Sequence, residues 1–202
     1  HYQIQDGKAY SLFDDDVAQN HALTTLLKVF SQEKQVYDQI RFMDTLGAEK
    51  LRINYDQGRP EQVAEADLQK KSSRYYIKEI RRLRKGELYI SPLDLNIEKG
   101  VIERPFKPVL RFGKLVYNAE GELKGSLLLN FKGGALIDAF KQATKISDAH
   151  ISLLNRDGYW LSSPDKEQEW HFMFDNPQSF ASEFPDAWAI IKNSPDGQFE
   201  TR

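Results

Sequence analysis

One six-residue phrase recurs three times and constrains the fold more than anything else in the chain. Two apolar residues, an Asp or Asn, two variable residues and a Gly appear as "FMDTLG" at 42–47, "VYNAEG" at 116–121 and "LLNRDG" at 153–158. A polar Asp or Asn starts a turn, and the Gly accepts the positive φ needed to leave it. Alternating apolar and polar residues flank the phrase, as in "YDQIRFMDTLGAEKLRINYD". That combination predicts β-hairpins.

Helical patterns fill the spaces between. Val17, His21, Leu23, Leu27 and Phe30 recur near helical spacing behind Asp14, Asp15 and Asp16, which suit a helix N-terminus. The spacing predicts one long amphipathic N-terminal helix of about 15 to 20 residues. A second helical region, "EADLQKKSSRYYIKEIRRLRKG", puts Leu68, Tyr75 or Tyr76, Ile80 and Leu83 on one side and closes at Gly86, with Ser72 or Ser73 as a possible break. Strands are expected at "ELYIS", "KPVLRFGKLVYN" and "LKGSLLLNF", and after Gly133-Gly134 a helix at "ALIDAFKQATK".

From residue 150 the grammar restarts with the hairpin "AHISLLNRDGYWLSS" and a helix "FASEFPDAWAIIKN". The expected fold class is α/β of the α+β kind: antiparallel sheets flanked by helices, in tandem modules. The divisions are a helical segment at 1–35, a first module at 36–145 and a second, incomplete one at 146–202. Lacking an initiator Met and stopping where a strand would begin, the chain reads as a piece of a longer protein. Trp160 and Leu161 are expected to stay uncovered unless a partner chain, or sequence beyond Arg202, closes the second sheet.

Composition narrows the function. In 202 residues, 40% hydrophobic and 12% aromatic, there is material for a real core, while 28 Lys and Arg against 30 Asp and Glu leave a net charge of −2. No basic excess points to nucleic acid or to an anionic membrane surface. With no cysteine, thiolate catalysis, Cys-ligated zinc and disulfides are excluded together. His1, His150 and His171 lack metal-ligand spacing, and "KGGAL" lacks the phosphate-cradling pattern, so neither a metal nor a cofactor is expected. Trp160, Trp170 and Trp188 read as core of the second module. No stretch of about 20 apolar residues is present to span a bilayer.

"YDQIRFMDTLGAEKLRIN", "LQKKSSRYY", "GELYISPLDLNIEKGVIERPFKPVLRF" and "GSLLLNF" resemble the double Cache sensors, the tandem PAS-like extracytoplasmic modules of bacterial transmembrane histidine kinases and diguanylate cyclases. The resemblance covers roughly residues 20 to 165, and "YISPLDLN" is its most specific part. It implies a periplasmic sensor domain, not itself an enzyme, anchored by flanking membrane helices absent from this chain. It also implies a small polar ligand, an organic acid, amino acid or amine, held in the distal module between the sheet and a lid of residues 66 to 85. Ser91, Asp94 and Asn96 then lie on the pocket rim, where Pro92 stops the ladder because it has no N–H.

Arg41, Arg52, Arg74 and Arg111 fall where that pocket is expected. An Arg fork matches a carboxylate, and Tyr75 and Tyr76 offer walls and hydroxyl donors. The structural alternative is ion pairing with Asp44, Asp94 or Glu103, and on an alternating strand either Arg41 or its neighbour Phe42 is expected to face outward. Two other functions compete: a hydrolase using two of Asp94, Glu98 and Glu103, and a module that forms a homodimer through "ALTTLLKVF" on the N-terminal helix.

Overall fold

All three recurrent phrases fold in the same way. In the computed structural model, which describes residues 17–145, 151–175, 177–194 and 196, Asp44 Oδ1 accepts the N–H groups of Leu46 and Ala48, both at 2.9 Å. Asn118 Oδ1 accepts from Glu122, and Asn155 Oδ1 from Asp157 and Tyr159. In each turn the Gly N–H donates to the carbonyl of the Asp or Asn, and Gly47, Gly121 and Gly158 have φ of 80°, 87° and 82°. The first turn joins β1 (Tyr37–Met43) to β2 (Glu49–Asp56); β3 (Arg59–Gln62) follows β2 through a two-residue turn in which Gln57 and Gly58 both have positive φ. Before β1 comes the helix α1 (Val17–Lys34).

The lid region is shorter in helix than its sequence suggests. A 3-10 turn covers Glu65–Asp67, and α2 is only Tyr75–Ile80. The intervening residues pair with the first hairpin instead: Glu49 N–H donates to Gln69 O and Lys71 N–H to Gly47 O. Strand-like pairing at 69–71 leaves no room for a helix there, so α2 starts behind an extended Arg74. Gly86 does not end the helix. With φ of 94° it sits in a later turn, where Glu87 N–H reaches Arg84 O.

Downstream lie β4 (Tyr89–Ile90), β5 (Asp94–Leu95), β6 (Ile97–Glu98), β7 (Val101–Ile102), β8 (Pro108–Tyr117) and β9 (Leu123–Lys132). The main sheet runs β3-β2-β1-β9-β8-β4, so the two ends of the first module's chain, β1 and β9, are central neighbours. Every pairing along it is antiparallel.

Both faces of this sheet are covered. On one, Leu23 and Leu27 of α1 pack with Ile40, Phe42, Leu51 and Ile53; on the other, Tyr76, Ile77 and Ile80 of α2 pack with Met43, Leu115 and Leu128. Hence Gln39 through Met43 are all buried, and neither Arg41 nor Phe42 faces outward. Along α1, Leu26 and Val29 remain exposed. The seat of α2 is tight, since a Cβ at Gly113 on β8 would lie 2.3 Å from Ile80 Cδ1.

The chain divides into two compact units: residues 1–93, 99–101 and 109–132 form one, and 94–98, 102–108 and 133–202 the other. The second holds α3 (Gly134–Thr144), β10 (Leu153–Leu154), β11 (Trp160–Ser162), α4 (Phe180–Glu183) and α5 (Pro185–Asn193). The single helix expected at 180–193 is two, because Phe184 precedes Pro185 and leaves the helical region, with φ −127° and ψ 65°. Trp160 and Leu161 are buried, contrary to expectation. Phe180 of α4 meets Trp160 edge-on at 6.0 Å, and a Cβ at Gly158 would lie 2.6 Å from Ala181 Cβ, so α4 lies against the hairpin. Trp170 is buried as well, and Trp188 partly so. The terminal expectation, a strand beginning near Arg202, falls outside the described residues, as do His1, His150 and Asp14 to Asp16.

Gly125 on β9 fixes how closely β1 and β9 approach. A Cβ there would lie 2.0 Å from Met43 O, and its φ of 155° suits few L side chains. Gly125→Ala is therefore expected to destabilise the protein by at least about 2 kcal/mol, from backbone strain and displacement of the strand. Urea unfolding followed by circular dichroism measures it, and a loss under about 0.5 kcal/mol would refute the fit.

Candidate functional site

The α2 face of the sheet is half apolar and half charged, and the strand register dictates which half is which. Arg41 on β1 stands opposite Arg52 on β2 and Leu128 on β9; Arg111 on β8 stands opposite Asn130 on β9. Antiparallel partners share a face. So Arg41, Arg52 and Arg111, widely separated in sequence, come to one side of the sheet, with Arg41 and Arg111 each 1% exposed.

Buried guanidinium groups need partners. For Arg41 and Arg52 the shared partner is Glu49: Arg41 Nε lies 2.9 Å from Oε1, and Arg52 Nη1 3.1 Å from Oε2. Arg41 also donates to Asn130 Oδ1 at 3.2 Å and to Gln39 Oε1, and Arg52 reaches the carbonyl of Asp67 at 3.5 Å. For these two arginines the countercharge is Glu49, a residue that the sequence pattern did not single out. Asn130 was also missed, although a lone polar residue inside the apolar run "LLLNF" signals a buried hydrogen-bonding role.

Arg74, Tyr75, Tyr76 and Arg111 form a second group. Tyr76 is buried, and two guanidinium groups approach its ring: Arg111 with 4.7 Å from Cζ to the centroid and Arg74 with 5.7 Å. A cation held over an aromatic face is attracted by the ring quadrupole. Tyr75 meets Tyr76 edge-on at 5.4 Å and is itself exposed. Here one residue from the sheet and one from the lid region converge on the same side chain.

Ser91 explains how the strand before "PLDLN" ends. Its N–H donates to Arg111 O at 2.9 Å, while its hydroxyl accepts Arg111 N–H at 2.9 Å and donates to Pro92 O at 2.7 Å. The side chain thus takes over the ladder where Pro92 has no donor, and it fixes the backbone that carries Arg111.

Asp94 and Asn96 are also buried, within the second compact unit. Asn96 binds its own loop: its N–H donates to Lys107 O at 2.8 Å, and its Nδ2 to Glu103 Oε2 at 2.9 Å. Lys107 pairs with Glu103 at 2.5 Å. Partial burial pushes the Glu103 carboxyl up, but the hydrogen bonds from Lys107 and Asn96, with the charge of Lys107, outweigh it and hold the group below its ordinary value. A general acid for glycoside hydrolysis needs the opposite shift. Among the described residues no His, Asp and Glu cluster is arranged to hold a metal.

A family profile described as "bacterial histidine kinase, sensor domain" matches residues 8–202. Among solved structures, the extracellular domain of vpHK1S-Z8, named as a histidine kinase, is 25% identical with a TM-score of 0.75, covering 93% of this chain and 67% of that one. A domain of a sensory box/GGDEF family protein from Vibrio parahaemolyticus is 25% identical with a TM-score of 0.73, over 89% and 68%. The ligand-binding domain of the Campylobacter jejuni chemoreceptor Tlp3, solved with 4-methylisoleucine, shares the fold at 12% identity and a TM-score of 0.54, over 76% and 54%. Among curated proteins none matches the chain. These neighbours are sensor and ligand-binding domains rather than catalytic ones, and no described helix is long and apolar enough to cross a membrane.

Two outcomes follow from the charges. Glu49→Gln leaves Arg41 and Arg52 buried without their shared countercharge and is expected to cost about 3 to 5 kcal/mol in urea unfolding; a loss below about 1 kcal/mol would contradict the ion-pair geometry. Because folding lowers the Glu103 pKa, its contribution is present in full above the ordinary carboxylate value and disappears as pH falls through the lower, folded value. Melting curves should therefore show Glu103→Gln less stable than the parent at pH 7, with the gap closing as pH drops below the carboxylate range. A gap that stays constant with pH would exclude the assignment.

Proposed function

The chain belongs to the family of bacterial histidine kinase sensor domains, and on that premise we propose that it is the extracytoplasmic, periplasmic sensing part of a membrane-anchored receptor. The output domain is a histidine kinase or a diguanylate cyclase, carried elsewhere in the parent protein. The ligand is a small polar molecule, an amino acid, organic acid or amine, with a carboxylate-bearing compound favoured. One observation carries this reading: Arg74 beside the lid helix and Arg111 on the sheet meet on Tyr76. A carboxylate is the group two such guanidinium forks recognise best, and an aromatic surface suits the carbon skeleton attached to it. The complexes of the Tlp3 ligand-binding domain with 4-methylisoleucine and with L-valine support that ligand class.

Arg41 and Arg52, tied to Glu49, serve in this reading as the floor of the site rather than its contact groups. Ser91 positions Arg111. Binding draws the lid of residues 66 to 85 towards the sheet, and the response is transmitted because β9 runs through Gly133 directly into α3. A ligand does this only to the extent that it prefers the closed lid, and about 1 to 3 kcal/mol is the usual scale of such coupling.

A thermal-shift screen of amino acids, organic acids and amines is expected to find a compound that raises the melting temperature, since whatever binds only the folded state stabilises it by mass action. With that compound, Arg74→Ala should weaken binding by about 1 to 3 kcal/mol, the range for a lost charged hydrogen bond, while melting without ligand stays nearly unchanged. The reverse pattern, lost unliganded stability with normal binding, would make Arg74 structural and remove the proposed site.

A further inference from the structure

The second unit contains a cleft that the sensing site does not use. It lies between α3 and the segment after β11 and has a volume of ≈ 360 Å³, within the span of small-molecule sites. Lys141 and Lys145 line it from α3, and Lys166 from the 3-10 turn at Lys166–Gln168. Phe140, Ile151 and Pro164 make an apolar wall. We propose that this cleft binds a small organic anion, with its carboxylate on Lys141 and its carbon skeleton against Phe140, Ile151 and Pro164.

Charge is shared unequally around the cleft. The acid at this cluster is Glu169, and one oxygen, Oε1, serves three donors. It accepts Ser163 N–H at 3.0 Å, pairs with Lys166 at 2.7 Å, and stands 4.0 Å from Lys141. Glu169 is therefore committed to Lys166 and the backbone, and Lys141 receives only its distant charge, along with that of Asp138. The two ammonium groups feel the difference in opposite directions. The hydrogen bond to Glu169 raises the pKa of Lys166; burial and the neighbouring Lys166 lower that of Lys141.

An anion entering the cleft supplies what Lys141 lacks. A cation meets three lysines against Glu169, already committed to Lys166, and the more distant Asp138, so the balance of charge opposes it. Inorganic phosphate would leave the apolar wall unused. The floor is firm, since Ser162 and Ser163 are buried and the Ser163 hydroxyl is engaged with Gln168 at 2.8 Å and with Asp165 N–H at 3.2 Å. An open, partly apolar recess lined by three ammonium groups that share one nearby carboxylate suits a small carboxylate.

The test titrates sodium benzoate, butyrate and phenylacetate into the 202-residue chain, followed by amide shifts in ¹H–¹⁵N spectra. At least one of the three should give saturable shifts at the amides of Lys141, Ser162 and Ser163. Lys141→Gln should then raise its Kd about tenfold, the equivalent of one charge-assisted contact. Arg74→Ala should leave this binding intact, which separates the cleft from the sensing site of the first unit. The proposal is overturned if none of the three carboxylates saturates, if Lys141→Gln binds as the parent does, or if butylamine or inorganic phosphate binds as tightly as the best carboxylate.

Discussion

Glu49 lies at the point where the first unit's structural demands meet. Its carboxylate spans Arg41 and Arg52, and its Oε2 also accepts Gln69 N–H at 2.9 Å. That last bond joins the hairpin to the segment leading to α2. Burying three charged groups is unfavourable unless every one is matched, and here the matching itself determines where the lid segment attaches to the sheet. An apolar replacement of the same volume could fill the space. It would not hold residue 69 in place, and the extended pairing that keeps α2 short would lose one of its anchors.

The two faces of the sheet then differ in kind. The α1 face is a continuous apolar seam of Leu23, Leu27, Ile40, Phe42, Leu51 and Ile53. The α2 face pairs an apolar patch around Met43, Ile77 and Ile80 with the charged patch around Arg41 and Arg111. Apolar burial is non-directional, whereas charged and aromatic contacts depend on geometry. The first face gives the domain its cohesion; the second can respond to a change in charge. That division puts the charged and aromatic contacts on the face opposite the apolar contact with the long helix.

Much of this was legible in the sequence, for reasons that can be traced. The phrase of Asp or Asn followed three residues later by Gly marked all three hairpin turns because the chemistry is local: one side chain, one positive φ. The positions of β8 and β9 were readable for the same reason. The short α2 was not, since the pattern of Leu68, Tyr76 and Ile80 suits a helix and only the pairing of 69–71 with a hairpin some 20 residues away overrides it. β3 was hidden by Pro60, which weakens a strand reading but is tolerated on this edge strand. The expectation that four arginines line one site came from the family resemblance; that two of them are held by Glu49 depends on strand register, which no local pattern reveals.

Gly113 has a mechanical consequence. Because Ile80 fills the space a side chain would occupy on β8, the C-terminal end of α2 is keyed into the sheet. Arg74 stands at the opposite end, six residues and roughly 9 Å of helix away. Tyr76 and Ile77 are buried as deeply as Ile80, so the helix is held along its whole apolar face. The missing side chain on β8 thus acts as a notch that sets where along the sheet α2 rests, and with it the position of Arg74 relative to Arg111.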